Sequence, residues 1–234
     1  MLVYAYPPLV EGILLQRYQR FFADVRLPTG EIVTAHCPNT GPMTGVCPVG
    51  NRVFLSRSDN PKRKLIYTWE IVEVDGELVG INTALPNRII GHMIANHLIP
   101  ELEPYGEYRA EVEYGQEKSR VDFCLVGESF HRYVEVKNTT WSKNGVALFP
   151  DTVTLRGQKH LRELTHIIAP ERRATIIFFI NRGDCDKFAP GDAADPVYGE
   201  LLRSGVARGL QVLACRFRIC PEGVYYLGLG EVTL

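Results

Sequence analysis

The sequence predicts a mixed α/β protein, with a small N-terminal β-barrel followed by a larger α/β domain. Residues 1–83 hold five short strand-like segments with no helical pattern between them. Residues 84–234 alternate helical stripes with strand-like segments, beginning in the order αβββαβαβ and closing with one more strand. This order predicts a sheet that is partly parallel and partly antiparallel, with helices on its faces.

The strands of the N-terminal part are separated by turn signals such as "PTG" and "DGE". Five short strands without intervening helices are typical of a small closed barrel, and the OB-fold is the common five-stranded form. In chain order, the predicted strands are 20–27, 31–37, 51–57, 64–74 and 77–83.

Residues 36–45, "HCPNTGPMTG", are too rich in Pro, Gly, Asn and Thr to form a strand. A shaped loop in a compact domain is more often functional than a plain connection. We expect this loop to be ordered and to face the second domain. Asn39 and Thr40 suit turns and contacts from the backbone to phosphates.

The stretch "ALPNR" is the predicted boundary, which gives an OB-like domain at 1–83 and a second domain at 84–234. The second helix of that domain is expected to start at a cap formed by Asp151 or Thr152, and the third at Asp195. The predicted helices are 88–102, 151–169 and 195–209, and the predicted strands are 108–115, 120–127, 132–138, 173–181, 211–219 and 223–232.

The composition is that of an ordinary globular protein, with 45% hydrophobic and 23% charged residues and a net charge of −1. No apolar run is long enough to span a membrane, and the N-terminus does not resemble a secretory signal, so we expect a cytoplasmic protein. The charge is uneven, because residues 52–64 carry five basic side chains and residues 203–218 carry four arginines without an acid. Such runs are either solvated surfaces or phosphate-binding clusters.

Two predicted strands within "SRVDFCLVGESFHRYVEVKN" carry Asp122, Glu135 and Lys137. Strand alternation places these three side chains together on the face opposite the core. Two carboxylates at a sheet end can share Mg²⁺ or Mn²⁺, and a nearby lysine can position a water molecule or stabilise a phosphoryl transition state. An exposed cross-strand salt bridge is the alternative. The side chains expected to face the core are Val121, Phe123, Leu125, Val134 and Val136.

The motifs "RVD" and "EVK" on successive strands resemble the PD-(D/E)xK nuclease superfamily, whose core has the order αβββαβ. Val121 stands where the superfamily name has proline. The resemblance implies Asp122, Glu135 and Lys137 as the catalytic set. It further implies contributions from Gln158 and Lys159 in "RGQKHLREL". It also implies an acid from the preceding helix, for which Glu101 is the candidate metal ligand and Glu111 on the first strand a weaker one.

The chain also resembles a narrower group, the sugar fermentation stimulation protein A family, over essentially its whole length. This resemblance implies an N-terminal OB-like domain, a C-terminal nuclease-like domain and binding of DNA without sequence preference in bacteria. A regulatory role in sugar (maltose) metabolism is a further implication. The segments that carry the resemblance are "HCPNTGPMTG", "SDNPKRK", "TWE", "SRVDF", "YVEVK", "FPD" and "RGQKHLREL".

The expected partner is therefore DNA, with RNA as a further possibility and no membrane contact. Tyr67 and Trp69 would either stack on bases or belong to the barrel core. Two other functions stay open: an active Mg²⁺-dependent nuclease, and a regulator or scaffold with a vestigial acidic site and a protein partner. The side chains expected to meet phosphates are Arg57, Lys62, Arg63 and Lys64, with Asn39 and Thr40 beside them.

Overall fold

The computed structural model describes residues 1–116 and 119–234, which form two large sheets, one small sheet and flanking helices. In chain order the elements are β1 (Leu2–Ala5), β2 (Leu9–Tyr18), β3 (Phe22–Arg26), β4 (Ile32–His36), β5 (Arg52–Arg57), β6 (Tyr67–Val74), β7 (Glu77–Gly80), α1 (Leu85–Ala95), a 3₁₀ turn (Pro100–Leu102), β8 (Glu107–Tyr114), β9 (Ser119–Val126), β10 (His131–Thr139), β11 (Ser142–Lys143), β12 (Val146–Phe149), α2 (Leu155–His166), β13 (Arg172–Ile180), β14 (Lys187–Pro190), α3 (Pro196–Ala207), β15 (Gln211–Cys220), β16 (Gly223–Leu229) and β17 (Glu231–Val232).

The N-terminal sheet has the strand order β4-β3-β2-β5-β6-β7, and an additional pairing of β4 with β6 closes it into a barrel. The five predicted strands are all present. A sixth, β2, was not predicted, although it pairs with both β3 and β5. Fully buried side chains from several strands fill the interior, among them Leu14, Val25, Val53 and Trp69.

The second large sheet has the strand order β1-β16-β15-β13-β10-β9-β8. Its central strands β10, β13 and β15 run parallel, whereas the outer pairs are antiparallel, as the element order predicted. One face packs against α1 and the other against α2 and α3, so each face has its own hydrophobic cluster. The small sheet β11-β12-β14-β17 flanks this layer.

The first strand departs from the predicted division of the chain. β1 pairs with β16, so residues 2–5 lie in the C-terminal sheet and not in the barrel. This pairing joins segments more than 200 residues apart in the sequence, beyond the reach of local pattern analysis. The division near residue 84 otherwise stays a prediction.

The helices differ from the predicted ones mainly at their ends. α1 stops at Ala95, well before the predicted residue 102, and His97 follows with a positive φ of 54°. The cap of α2 is Thr154, whose hydroxyl accepts from the backbone N–H of Gly157 at 3.1 Å, so the prediction of Asp151 or Thr152 was wrong. Asp195 caps α3 as predicted. None of the described helices is long and apolar enough to cross a membrane.

Candidate active site

Asp122 lies where strands β9 and β10 separate. The two strands pair from His131 opposite Val126 as far as Val134 opposite Phe123. Beyond this point a side chain replaces the backbone pairing of the two strands: Oδ2 of Asp122 accepts from the backbone N–H of Val136 at 2.7 Å. Burial, reinforced by the negative charge of Glu135, raises the pKa of Asp122 to about 6. The ionised form of this carboxyl group is therefore energetically disfavoured, and a nearby cation would stabilise it.

A contact from helix α1 fixes the other oxygen of Asp122. The side chain of Asn87, on α1, donates to Oδ1 at 2.6 Å. The site is thus connected to α1 on one side of the sheet, which the sequence analysis did not predict.

The predicted alternation of side chains fails at Val121. Phe123 and Leu125 pack in the cluster beside α1, as expected, but Val121 packs in the cluster beside α2. Glu111, which lies opposite Asp122 in the strand register, has a positive φ of 54° and interrupts the pairing of β8 with β9.

Glu135 is the most enclosed member of the site, with 3% of its surface exposed. Its Oε1 accepts from Nζ of Lys137 at 2.7 Å and lies 2.5 Å from Nδ1 of His160. Burial acts to raise the pKa of Glu135, but the charge of Lys137 and the contact with His160 hold that pKa below its ordinary value. An ion pair between Glu135 and Lys137 is present, but it lies within β10 and is buried, whereas the alternative considered from the sequence was an exposed cross-strand salt bridge.

The second oxygen of Glu135 has no partner. Oε2 is buried and makes no hydrogen bond within the described structure. Leaving a buried carboxylate oxygen unsatisfied is costly, so an atom outside the chain is needed at this position. A divalent cation or an ordered water molecule can supply the missing contact.

His160 is a member of the site that the sequence analysis missed. It lies on α2, is almost fully buried, and contacts Glu135 directly. The signal was present in the sequence, because His160 is three residues after Gly157 and four before Leu164, two other positions on the buried face of the helix.

Gln158 and Lys159, which were predicted to contribute to the site, also lie on α2, but Gln158 contacts Asp195 and not Glu135. The amide nitrogen of Gln158 donates to both carboxylate oxygens of Asp195 at 3.0 Å, so it supports the cap of α3. Lys159 is half-buried on the same helix. Their catalytic roles stay predictions.

Glu101 was predicted as a metal ligand, and the structure places it elsewhere. It is exposed on the 3₁₀ turn, because α1 ends early and the chain then continues over the far strands. After burial, the charge of Glu101 is the next cause that raises the pKa of Cys215 on β15. Two strands, β13 and β10, separate β15 from β9, a spacing of about 14 Å. Glu101 is therefore not part of the Asp122–Glu135 site.

The residues present nevertheless fit a hard divalent cation. Asp122 has an unfavourable charge and Glu135 an unsatisfied buried oxygen, and both offer the carboxylate oxygens that Mg²⁺ prefers. Within residues 1–116 and 119–234, no three His, Cys, Asp or Glu side chains group around one metal position. A cation held by two carboxylates would keep several water ligands, which is usual for Mg²⁺.

The loop 36–45 faces the C-terminal domain, which confirms that prediction. The backbone N–H of Thr44 donates to Oδ2 of Asp151 at 3.2 Å, across the two parts of the chain. Arg17 holds the loop from behind, since its guanidinium donates to the carbonyl oxygens of Asn39 at 2.8 Å and Gly41 at 3.0 Å.

The predicted phosphate contacts are mostly exposed. Arg57 ends β5, and the following loop presents Lys62, Arg63 and Lys64 to solvent, with Arg63 also donating to the hydroxyl of Thr68 at 2.9 Å. Thr40 is exposed too. Their contact with nucleic acid stays a prediction.

Two other residues considered for nucleic-acid binding, Asn39 and Trp69, are buried, and the contact of Asn39 with nucleic acid stays a prediction. Asn39 is 9% exposed, and its Oδ1 accepts from the backbone N–H of Gly41 at 2.9 Å. Trp69 is fully buried in the barrel core, so it is not available for stacking on bases, whereas Tyr67 is half-buried.

Two family models match the chain in succession. Residues 15–81 match an SfsA N-terminal OB domain, and residues 84–223 match a sugar fermentation stimulation protein RE domain. Curated relatives named sugar fermentation stimulation protein homolog include proteins from Cyanothece sp., 60% identical, and Nostoc sp., 59% identical. In both cases the similarity covers 99% of this chain and 98% of the relative.

A solved structure is also similar over its full length. It is described as Pyrococcus furiosus SfsA in complex with Ca²⁺, and it matches with a TM-score of 0.90 at 27% sequence identity, covering 100% of both chains.

Proposed function

The chain belongs to the sugar fermentation stimulation protein family, and we propose that it binds nucleic acid without sequence preference and hydrolyses phosphodiester bonds. A divalent cation held by Asp122 and Glu135 would assist the reaction. The observation that carries this proposal is the buried, unpartnered Oε2 of Glu135 next to Asp122. The similar protein from Pyrococcus furiosus is described in complex with Ca²⁺, which supports the binding of a divalent cation by this chain.

The side chains of the site would have two kinds of role: some would position the cation, and others would contact the phosphate or the attacking water molecule. When bound, a divalent cation lowers the pKa of a water ligand and offsets the charge of a phosphate. Lys137 keeps 13% of its side chain exposed, so its ammonium group can donate to a phosphate oxygen or to the attacking water molecule. His160 holds the carboxylate of Glu135 in one orientation from the buried side.

The net charge of the whole chain is only −1, so it does not attract nucleic acid overall. The proposed nucleic-acid-binding surface is therefore a local group of basic side chains. The exposed basic side chains of the loop after β5 would contact phosphates, which gives affinity without reading the sequence. Either DNA or RNA satisfies this chemistry. A cytoplasmic location and a regulatory role in sugar metabolism stay predictions.

A second candidate function is binding without cleavage. It is favoured by the Lys137–Glu135 ion pair, which engages the lysine, and by the presence of only two carboxylates at the site in the described part of the chain. A regulator or scaffold with a protein partner would also be compatible with a site of this kind.

The test separates these functions with metal-stripped protein. Single- and double-stranded DNA and RNA are incubated with it in chelator, in Mg²⁺ and in Mn²⁺. We expect cleavage only with a cation, its loss in Lys137→Ala, and its retention in Lys143→Ala, a matched change at an exposed lysine. If wild type and Lys137→Ala cut at one rate, the cleavage comes from a contaminant or from another site. If neither cuts while both bind, the second function stands.

A further inference from the structure

A pocket lies at the junction of the two parts of the chain, beside the candidate active site. Its volume is about 230 Å³. The OB-like part contributes one side and the C-terminal domain the other, so neither forms the pocket alone. The lining residues that matter here are Asn39 and Thr83 on one side and Asn138, Trp141, Phe149 and Asp151 on the other.

The pocket and the active site share a strand. Asn138 follows Lys137 directly on β10, and consecutive Cα atoms are about 3.8 Å apart. Successive side chains of a strand point to opposite faces, so the pocket and the ammonium group of Lys137 are reached from opposite sides of β10, close to the end of the strand at Thr139. Thr83 closes the opposite side, where its hydroxyl donates to the carbonyl of Pro38 at 2.9 Å.

The polar groups of the pocket are unsuited to a phosphate. Among residues 1–116 and 119–234, no lysine or arginine lines it, and Asp151 contributes a carboxylate whose Oδ2 accepts from the backbone N–H of Thr44 in the loop. A bound anion would meet this negative charge without a cation to offset it. The ligand is expected to be neutral and to carry its own N–H donors.

The two amides complete the recognition chemistry. Oδ1 of Asn39 accepts from the backbone of Gly41 at 2.9 Å, and Oδ1 of Asn138 accepts from Asn181 at 3.0 Å. Both amide nitrogens thus remain for acceptors on a ligand, while the carboxylate of Asp151 accepts from its donors. A flat ring with acceptors and donors on one edge matches this set.

The apolar walls fit a ring of that kind. Trp141 and Phe149 are half-buried aromatic side chains that line the same pocket. Aromatic walls with a few polar groups are how proteins hold a base that has left the stack. The volume is below the roughly 300–1,000 Å³ of pockets for drug-sized ligands, which suits one ring system better than two.

We propose that this pocket receives one unstacked nucleobase from the strand bound at Asp122 and Glu135. The proposal rests on the proposed function in that a nucleic-acid strand occupies the neighbouring site. It implies a preference for single strands, ends or locally opened duplexes, because a base inside a duplex cannot reach a pocket that lies between two domains.

Uncharged nucleosides test the pocket without the cation or the reaction. The chain has two tryptophans, and Trp69 is fully buried in the barrel, so quenching by a ligand reports on Trp141. We expect nucleosides at millimolar concentration to quench the fluorescence in chelator, and free ribose or deoxyribose not to. Absence of quenching by all four common nucleosides would overturn the proposal.

The variant Asn39→Asp sharpens the test. It keeps the oxygen that accepts from Gly41 but replaces the amide donor, so the loop is retained and nucleoside binding is expected to weaken several-fold or more. Asn144→Asp is the matched control, because Asn144 lies in an exposed turn outside the pocket. Equal nucleoside affinity in Asn39→Asp and wild type would contradict the assigned amide contact.

An oligonucleotide experiment separates this inference from the proposed function. A short single strand with one abasic position is compared with the intact strand at each position in turn, and binding is measured in chelator. We expect one position where base removal costs on the order of tenfold in affinity. Lys137→Ala should lose hydrolysis and keep both the quenching and the abasic effect. Hydrolysis by wild type with no position-dependent abasic effect would overturn the pocket and leave the nuclease intact.

Discussion

Nδ1 of His160 lies 2.5 Å from Oε1 of Glu135 and connects helix α2 to strand β10 at the centre of the site. Both side chains are almost completely buried, with 8% and 4% exposed. The same oxygen accepts from Lys137, so one side of the carboxylate is saturated and the other is left without a partner. We therefore expect His160 to act as a positioning residue that directs Oε2 toward the proposed cation.

The first prediction concerns this contact. His160→Ala should lower the free energy of unfolding in chelator by roughly 1–3 kcal/mol, because Glu135 loses a buried hydrogen-bond partner. It should also reduce the rise in melting temperature that Mn²⁺ produces, since the carboxylate is no longer held. His166→Ala, an exposed position at the end of the same helix, is the control. A normal response of His160→Ala to Mn²⁺ would exclude a positioning role.

The second prediction is that the two carboxylates affect the metal-free protein with opposite signs. Asp122→Asn should stabilise it at neutral pH, because burial and Glu135 raise the pKa of Asp122 and thus disfavour its charge. Glu135→Gln should destabilise it by roughly 3–5 kcal/mol, because Lys137 then keeps a buried charge without its partner. Urea denaturation in chelator measures both. Changes of the same sign in the free energy of unfolding of the two variants would contradict this asymmetry. Each variant should also gain less stability from Mn²⁺ than wild type does.

The third prediction is a pH dependence that belongs to Asp122. Its folded-state pKa of about 6 exceeds the ordinary value of 3.8, so between these pH values the folded chain binds more protons than the unfolded chain. Stability then falls as pH rises through this window, by at most about 1.4 kcal/mol per unit for one group. Glu135, whose pKa is lowered from its ordinary 4.5, loses its contribution as pH falls below that value, so it affects only the acidic end of this window. In chelator, Asp122→Asn should lack the decrease between pH 4 and 6, and an unchanged slope would assign it to other groups.

Local sequence patterns predicted most of the fold, and long-range pairing accounts for what they missed. The continuous apolar run within 173–181, which is typical of a strand buried on both faces, and the cap at Asp195 are local features, and both appear in the structure. β1 forms only because residues 2–5 meet a strand at the other end of the chain. β2 was missed because Pro7, Pro8 and Gly12 interrupt its surroundings, although its pairing with two neighbours stabilises it.

Only the residues of the candidate site that lie on strands could be predicted from the sequence. Asp122, Glu135 and Lys137 come together because β9 and β10 are neighbours in sequence and in space. Glu101 was misplaced because the end of α1 decides which strand the following turn covers, and no spacing rule gives that position. Asn87 and His160 reach the site through helix packing on opposite faces of the sheet, which a linear pattern does not record.

The fourth prediction tests the basic loop after β5. Lys62→Glu combined with Lys64→Glu should weaken binding of unrelated DNA sequences to the same extent. Each lost phosphate contact should reduce the slope of log K against log salt by about 0.9 on duplex DNA. Arg172→Glu combined with Lys187→Glu makes the same charge change at exposed positions elsewhere. Equal losses in both double variants would mean that total charge, and not this loop, determines binding. A strong preference for one DNA sequence would contradict the non-specific mode.

The last prediction concerns Arg17, which holds the loop 36–45 against the C-terminal domain. One guanidinium nitrogen donates to the carbonyls of Asn39 and Gly41, at 2.8 and 3.0 Å. Arg17→Lys replaces the planar guanidinium with a single ammonium group on a flexible chain. The ammonium group does not reproduce the fixed directions of the guanidinium N–H donors. We expect faster amide hydrogen exchange across 36–45 and little change in the barrel strands. Arg20→Lys, at an exposed neighbouring position, should leave the exchange unchanged.

Loosening of this loop should also have a functional consequence, because the loop brings Asn39 to the junction pocket and Thr44 to Asp151. Arg17→Lys should therefore weaken nucleoside binding, while its response to Mn²⁺ stays that of wild type, since Asp122 and Glu135 lie on other elements. Loss of the Mn²⁺ response together with nucleoside binding would show that the variant disturbs the whole domain junction. Unchanged exchange and unchanged binding would show that the contacts of Thr44 with Asp151 are sufficient to hold the loop.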